Sequence, residues 1–353
     1  MKQTIIQVLD QITHAGFEAY VVGGYVRDFL LGKESYDVDI ATNATIEDLK
    51  EIFLNFNPTV YYTCLSFFIE NYHFEITPYR IDGPYVDGRY PSYIKPAKNI
   101  KQDSQRRDFT INSIYMNREG SYYCFNTGLQ DMKRKRIRTI GKPQKRLQED
   151  PLRILRALRL SICLDFKIDK GLEKAILENK HLIASLSETR KKEELDAMLE
   201  ASTPKTIQIL KKFALFSVFG IPENIIPTHN QWGFWVQIPF HQYPLKKQES
   251  KKIYSLKLLL ESSLGDMDLF YASEDELQTV CEIKNLDFAL NQEKRNMLPI
   301  HDVSELKIDI QALEAASLPI TEIKESLVRQ ILYNHLPNTE EAIHQFIEEN
   351  YTK

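Results

Sequence analysis

"GGYVRDFLLGKESYDVDIAT", Gly23 to Thr42, decides how this chain is read. It joins a Gly-Gly pair, an Arg-Asp pair and two aspartates two residues apart. The apolar "FEAYVV" before it, bounded by Gly16 and Gly23, predicts a strand. "GYVRDFLLG" predicts a short helix closed by Gly32, and "DVDIA" predicts a second strand. Residues two apart on a strand point to the same side. Asp37 and Asp39 are therefore expected on one face, with Val38 turned into the core. Unpaired, the two carboxylates repel each other and are costly to bury. Mg²⁺ removes that cost, bridges nucleotide phosphates and activates an attacking hydroxyl. An edge strand with two solvated acids is the competing reading, and for a lone D-x-D it is the commoner one. The upstream glycines change that balance. Without side chains they let backbone N–H groups approach a triphosphate at a helix N-terminus, and Arg27, one turn in, adds a charged fork. A tight turn with a surface arginine is the alternative for these residues.

Working outward, "TIEDLKEIFLNF" predicts a helix capped by Thr45, with acids in its first turn. "TVYYTC" and "FFIENYHFEITPYRI" are β-rich, the second with a turn near Asn71, and "SYYCFNTG" and "RIRTIG" predict two further short strands. "DGPYVDGRYPS", Asp82 to Ser92, holds two Asp-Gly pairs and two prolines and predicts a mobile loop. After about Pro143 the apolar spacing turns helical, through "DPLRILRALRLSICL", "GLEKAILENKHLIASL" and "KEELDAMLEA". From Ser202 to Lys353 the pattern is mostly helices with loops. The organisation is a head that mixes helix and strand, followed by an all-helical remainder.

At 353 residues the chain is too long for one ordinary core, and its 43% hydrophobic and 27% charged residues are ordinary for a globular protein. No apolar run approaches a membrane span. The opening segment reads as an amphipathic helix rather than a signal peptide. The four cysteines are scattered, which fits a reducing cytoplasm better than a disulfide framework or metal site. A net charge of −4 does not itself suggest a nucleic-acid partner. The distribution does. From Lys133 to Arg159 eleven lysines and arginines face only Glu149 and Asp150. A plain solvated face is the competing reading of that block; the local excess favours a phosphate-rich ligand.

Four stretches in order carry a resemblance over about the first 200 residues. "GGYVRDFLLGKESYDVDIAT" resembles the first signature of the class II nucleotidyltransferases of the DNA polymerase beta superfamily, the tRNA CCA-adding enzymes and bacterial poly(A) polymerases. "RRDFTINSIYMN", Arg106 to Asn117, resembles the second motif. "NTGLQDMKRKRIRTIGKP" resembles the segment joining head to neck, and "EDPLRILRALRL", Glu149 to Leu160, the E-D-x-x-R-x-x-R-A signature. The resemblance implies an α+β fold: a polymerase-beta-like nucleotidyltransferase head with a small mixed sheet and helices, then an all-α neck, body and tail. It implies a catalytic head over residues 1–138, a base-recognition neck over 139–200, and a tRNA-binding body and tail over 201–353.

The implied reaction is template-independent addition of CMP, CMP and AMP, from CTP and ATP, to the 3′ end of tRNA. Asp37 and Asp39 would hold Mg²⁺, and Gly24 and Arg27 would cradle the triphosphate. Arg107 and Asp108 would contact the nucleotide and order its ribose, with Asn112 a further candidate. Asp150 and Arg153 would read the base edge, with Arg156 and Arg159 nearer sugar and phosphates. Carboxylate acceptors and arginine donors suit the polar edges of cytosine and adenine. Glu75 is either a third carboxylate or a solvated strand residue.

The alternatives within the resemblance are an A-adding enzyme and a poly(A) polymerase. A non-catalytic RNA-binding module is the alternative from another class, and the intact aspartate pair argues against it. The sequence departs from the family's E-R-I-x-x-E-L signature, with Thr189 for the glutamate and Lys191 for the isoleucine; Ser113 replaces an alanine. In "NQWGFWVQIPFHQYPLKK", Trp232, Phe234, Trp235, Phe240 and Tyr243 read as core in preference to RNA-stacking residues. The loop resembles one tied in the family to switching from C to A addition. Shortening Asp82 to Ser92 is therefore expected to spare C addition and impair the final A, read by stepwise labelled incorporation; equal loss of both steps would refute it.

Overall fold

The computed structural model describes residues 1–85, 91–316 and 318–352 of the chain. It forms two compact units, Met1–Phe219 and Gly220–Lys353. The first has the α+β architecture expected for the head. Helix α1 (Gln3–His14) leads into β1 (Ala19–Val22), then α2 (Gly24–Leu30), β2 (Asp37–Thr42) and α3 (Ile46–Ile52). Strands β3 (Thr59–Tyr61), β4 (Cys64–Ile69) and β5 (Tyr72–Pro78) follow. A small ribbon of β6 (Arg80–Asp82) and β7 (Ile94–Pro96) precedes α4 (Ile100–Ser104), β8 (Ile114–Met116) and β9 (Tyr122–Cys124).

The seven-stranded sheet has the order β3-β4-β5-β2-β1-β8-β9. It is mixed, because β2 and β5 run parallel while the other neighbours are antiparallel. Alternation gives the sheet two unlike faces. One face presents Val38 and Ile40 of β2, Leu65 and Phe67 of β4, and Phe74 and Ile76 of β5, all buried. Against the sheet, α1 buries Ile5, Val8, Leu9 and Ile12, and α3 buries Leu49. Phe53 stacks on Phe67 at 4.9 Å, which continues this core. The other face carries Asp37 and Asp39. A slip of one residue in β2 would put both carboxylates into the apolar layer, so the core fixes the register that the site needs.

Thr45 caps α3 through a capping box with Asp48, as the sequence indicated. The helix stops at Ile52, however, and Leu54–Phe56 forms a separate short 3₁₀ turn. The chain reverses at Glu70, which takes a positive φ of 53°, to start β5. Three strands escaped the sequence reading, β7 among them. β8 is buried along its whole length and lacks alternation. After α5 (Gly128–Lys133) comes β10 (Arg136–Ile137), which pairs in parallel with β11 (Lys167–Ile168), within the stretch read as helical. Between these strands lie α6 (Pro143–Glu149) and α7 (Leu152–Leu164). Helices α8 (Lys170–Asn179), α9 (Glu188–Ala201) and α10 (Thr203–Lys212) complete most of the unit.

The second unit is helical among its described residues, with its own core around Leu256, Leu277, Val280, Ile323, Leu327 and Ile331. Phe234, Trp235, Phe240 and Tyr243 are buried, so the aromatic run is core, as expected; Trp232 packs half-buried against it. No described helix is long and apolar enough to cross a membrane.

Candidate active site

Gly23 sits between β1 and α2 with φ of +80°, a conformation that L side chains rarely adopt. A Cβ at this position would lie 2.3 Å from Oδ2 of Asp39. The glycine is thus required twice, by its backbone and by the carboxylate pressed against it. Gly24 is different, since a Cβ there would meet only Arg27 Nη2 at an ordinary 3.5 Å.

Asp37 and Asp39 share the open face of β2. In the parallel pairing Asp37 stands beside His73 and Asp39 beside Glu75. The Asp37 side chain is 90% exposed and takes a hydrogen bond from His73 Nδ1 at 3.3 Å. The carboxylate fixes that tautomer, so His73 Nε2 accepts from the Ser66 hydroxyl at 2.8 Å. Asp39 is half-buried. Burial pushes its carboxyl up to about 6, and Glu75 and Asp37 push the same way, against Arg107 and Arg156. A cation beside Asp39 would offset the charge that burial disfavours. The described residues hold no cluster of three or more side chains that would cage a metal alone. A Mg²⁺ ion ordinarily takes one or two carboxylates and completes its shell with substrate phosphates and water, so the donor set fits.

Beside Asp39 opens a cavity of about 380 Å³. Its lining includes Gly23, Gly24, Asp39, Arg107, Asp108, Asn112, Asp150, Arg153 and Arg156. Most of the residues singled out from sequence therefore converge on one place. Six arginines (80, 106, 107, 153, 156 and 190) face four aspartates (39, 82, 108 and 150) along it, an excess of positive charge suited to phosphates.

Two of the arginines nearest Asp39 are held by acids, the buried Asp103 and the half-buried Asp108. Asp103 of α4 is fully buried and accepts from Arg106 Nε at 2.8 Å, Arg107 Nη2 at 3.1 Å and Tyr115 Oη at 2.6 Å. Burial alone would raise the Asp103 carboxyl, but Arg107 and Arg106 outweigh it and hold it at about 2. Asp108 likewise accepts from Arg156 Nε at 2.9 Å and Nη2 at 2.6 Å. There too burial opposes, and Arg156 with the Phe109 amide brings the carboxyl down to about 2. Arg156 is thus tied to the second motif.

Several residues stand differently from expectation. Arg27 donates to both oxygens of Asp28, at 2.8 and 2.7 Å, and to Asn112 Oδ1 at 2.9 Å, and the lining does not include it. Its fork braces the second motif instead of standing free. Arg159 also lies outside the lining and bonds Glu194 of α9 at 2.7 Å. Asp150 is not on the arginine helix. It occupies the break between α6 and α7 in an extended conformation, where Oδ1 accepts from the Leu152 amide at 3.1 Å. Burial raises its carboxyl, with Arg153 opposing. Arg153 is anchored by the Arg146 carbonyl at 2.7 Å and Glu149 at 3.2 Å, and lies 5.5 Å from the Tyr85 ring centre. Of the loop Asp82 to Ser92, residues 86–90 lie outside the described residues.

The sequence reading missed Asp103, although it precedes Arg106 and Arg107 by three and four residues, a helical contact spacing. It also missed Arg190, which sits within the altered "TRKKEEL" signature.

Residues 19–138 match the family described as "Poly A polymerase head domain", and residues 165–223 match "Probable RNA and SrmB- binding site of polymerase A". A CCA-adding enzyme of Lactococcus lactis subsp. lactis is 31% identical over 378 residues, spanning 95% of this chain and 94% of that protein. This chain belongs to the CCA-adding enzyme family. A second relative, the CCA-adding enzyme of Lactobacillus delbrueckii subsp. bulgaricus, is 29% identical over 96% of each chain. The fold is that of the Bacillus stearothermophilus CCA-adding enzyme solved in complex with CTP, with a TM-score of 0.77, 24% identity and coverage of 99% and 98% of the two chains. A Thermotoga maritima CCA-adding enzyme complexed with tRNA has a TM-score of 0.67 at 20% identity, over 99% of this chain and 96% of that one.

In this family member, Gly23→Ala should abolish nucleotide incorporation by displacing Asp39. Gly24→Ala should leave the melting temperature within about 2 °C of wild type, since surface changes without a clash cost roughly 0.5 kcal/mol or less. Equal behaviour of the two variants would contradict the asymmetry of their surroundings. Asp103→Asn should lower stability by up to roughly 3–5 kcal/mol in urea unfolding, because it takes the carboxylate from two half-buried guanidinium groups. The Asp103 and Asp108 carboxyls titrate in the folded state at about 2, below the ordinary 3.8. Their contribution is complete above pH ~4 and is lost as pH falls towards ~2. Wild type should therefore lose stability across that window, and Asp103→Asn should lose less there.

Proposed function

We propose that this chain adds CMP, CMP and AMP, without a nucleic-acid template, to the 3′ end of tRNA, using CTP and ATP and releasing pyrophosphate. The observation that carries this reading is the convergence of the Asp39 carboxylate, the arginine-lined cavity and Asp150 with Arg153 in one place. The full-length relatives named as CCA-adding enzymes favour this reading over a poly(A) polymerase or an A-adding enzyme.

Asp37 and Asp39 would hold Mg²⁺, which would supply positive charge to the phosphates and make the 3′-hydroxyl easier to deprotonate. The chain's own residues do the rest. Gly23 and Gly24 leave the backbone bare where the triphosphate enters. Arg107 and Arg156, fixed by Asp103 and Asp108, supply positive charge towards the phosphates and sugar, and Arg27 orders Asn112 beside them. Asp150 accepts from, and Arg153 donates to, the base edge. Arg153 is anchored at the Arg146 carbonyl and Glu149, so its remaining N–H groups are presented in a set direction. Residues 139–200 act as the base-reading neck, and residues 201–353 grip the tRNA acceptor arm by shape and backbone charge. The setting is the cytoplasm.

The test is incubation of tRNA lacking its 3′ end with each labelled nucleotide. Wild type should add two C and one A, and Asp37→Ala or Asp39→Ala should add none while remaining folded. Asp150→Ala and Arg153→Ala should relax selectivity among CTP, ATP, UTP and GTP by about ten- to a hundredfold, from roughly 1.5–3 kcal/mol per lost charged contact. Retention of the wild-type preference ratios would remove the base-reading assignment, and near-normal turnover by either aspartate variant would remove the metal-site assignment.

A further inference from the structure

The open face of the sheet is read row by row. Pairing places Phe68 of β4 opposite His73 of β5, and His73 beside Asp37 of β2. These three residues form one row across neighbouring strands. The next row is Ser66, Glu75 and Asp39. Beyond it, towards Tyr62 before β4 and Arg80 after β5, lies the arginine-lined cavity. Asp39 is in the cavity wall, whereas Asp37, His73 and Phe68 are not. The aspartate pair therefore has two approaches, one from the cavity and one from the Phe68 row.

A single exposed phenylalanine is ordinary on a protein surface. This one differs in its support. Phe68 is 68% exposed, and its ring lies parallel to His73, with centroids 4.6 Å apart and planes at 24°. His73 is itself oriented from both sides, with Ser66 at one ring nitrogen at 2.8 Å and Asp37 at the other at 3.3 Å. The result is a fixed aromatic step, about 10 Å from Asp37 by two strand spacings of ~4.8 Å.

We propose that Phe68, braced by His73, is the platform on which the terminal base of the acceptor RNA stacks, setting its 3′-hydroxyl over Asp37 and Asp39. The inference rests on the tRNA-extending function proposed above. The chemistry suits the task. The RNA end changes with every addition, so a hydrogen-bonding reader of one base would reject the next. A π face accepts every base. The platform continues directly from the carboxylates, on the side that the triphosphate cavity leaves free. The His73–Asp37 bond ties the step to the reacting end, so Phe68 is a positioning residue that acts through stacking.

The experiment uses the full chain and an RNA minihelix of the acceptor arm that ends in 2-aminopurine, whose fluorescence is quenched by stacking. Wild type should quench the probe on binding, Phe68→Ala should not, and Phe68→Trp should restore quenching. In steady-state incorporation on unlabelled tRNA, Phe68→Ala should raise the KM for RNA by about five- to 150-fold, with the KM for CTP unchanged. Its melting temperature should match wild type. Equal quenching by wild type and Phe68→Ala, or a rise in both KM values together, overturns the platform. Phe68-dependent quenching without any nucleotide addition by wild type keeps the platform and overturns the function on which it was placed. Addition without Phe68 dependence does the reverse.

Discussion

The Asp39 carboxylate is pressed against the backbone at Gly23, the one contact on which the rest of the cavity depends. Burial drives its carboxyl up to about 6, and two other acids lie close by. The surroundings answer this one constraint in layers. Gly23 gives up its side chain so that the carboxylate fits. Arg107 and Arg156 bring positive charge, and each is in turn held by an acid, the buried Asp103 or the half-buried Asp108. Charge compensation thus runs from the Asp39 carboxylate outward to the fully buried Asp103. Under the proposed function a cation and a triphosphate would complete the innermost layer.

This nesting explains why the site arginines are stiff. A guanidinium in solution loses much rotational freedom when it grips a ligand. Here most of that freedom is already spent, because Asp103, Tyr115 and Asp108 fix the forks in advance. Preorganised charge of this kind needs little reorganisation when a phosphoryl group reacts. The same layering makes the residues interdependent. The loss of Asp103 disturbs two arginines and, through them, Asp39, so effects at these positions will not add.

The parts of the site legible in the sequence were those with local causes. Two-residue spacing put Asp37 and Asp39 on one face, and the apolar partners on β4 and β5 fix that register. The Thr45 cap and the buried aromatic run after Asn230 followed from local chemistry and apolar content. What escaped depended on distant partners. Nothing local in "KQDSQRRD" tells that Asp103 will be fully buried; Tyr115, twelve residues on, helps to decide it. Helical spacing put Asp150 in line with Arg153, but Pro151 follows Asp150, and a residue before proline avoids the helical region. Arg27 looked free because its partner Asn112 lies 85 residues away. β8 was hidden by burial on both sides, and β11 by its length of two residues.

The pairing of β10 with β11 has a mechanical consequence. The two strands bind residues 136–137 to residues 167–168, so everything between them is a loop closed at its base. Helix α7 lies within that loop, packed along α9, with its C-terminal end three residues from the clasp. At ~1.5 Å per residue its thirteen residues make a lever about 20 Å long. A small tilt at the clasped end is therefore translated into its largest excursion at the far end. Arg153 sits there, and Asp150 just beyond it. Under the proposed function that tip would stand at the base edge, so the placing of the Arg153 donors relative to Asp37 and Asp39 would depend on how firmly the two-strand ribbon holds the far end of the helix.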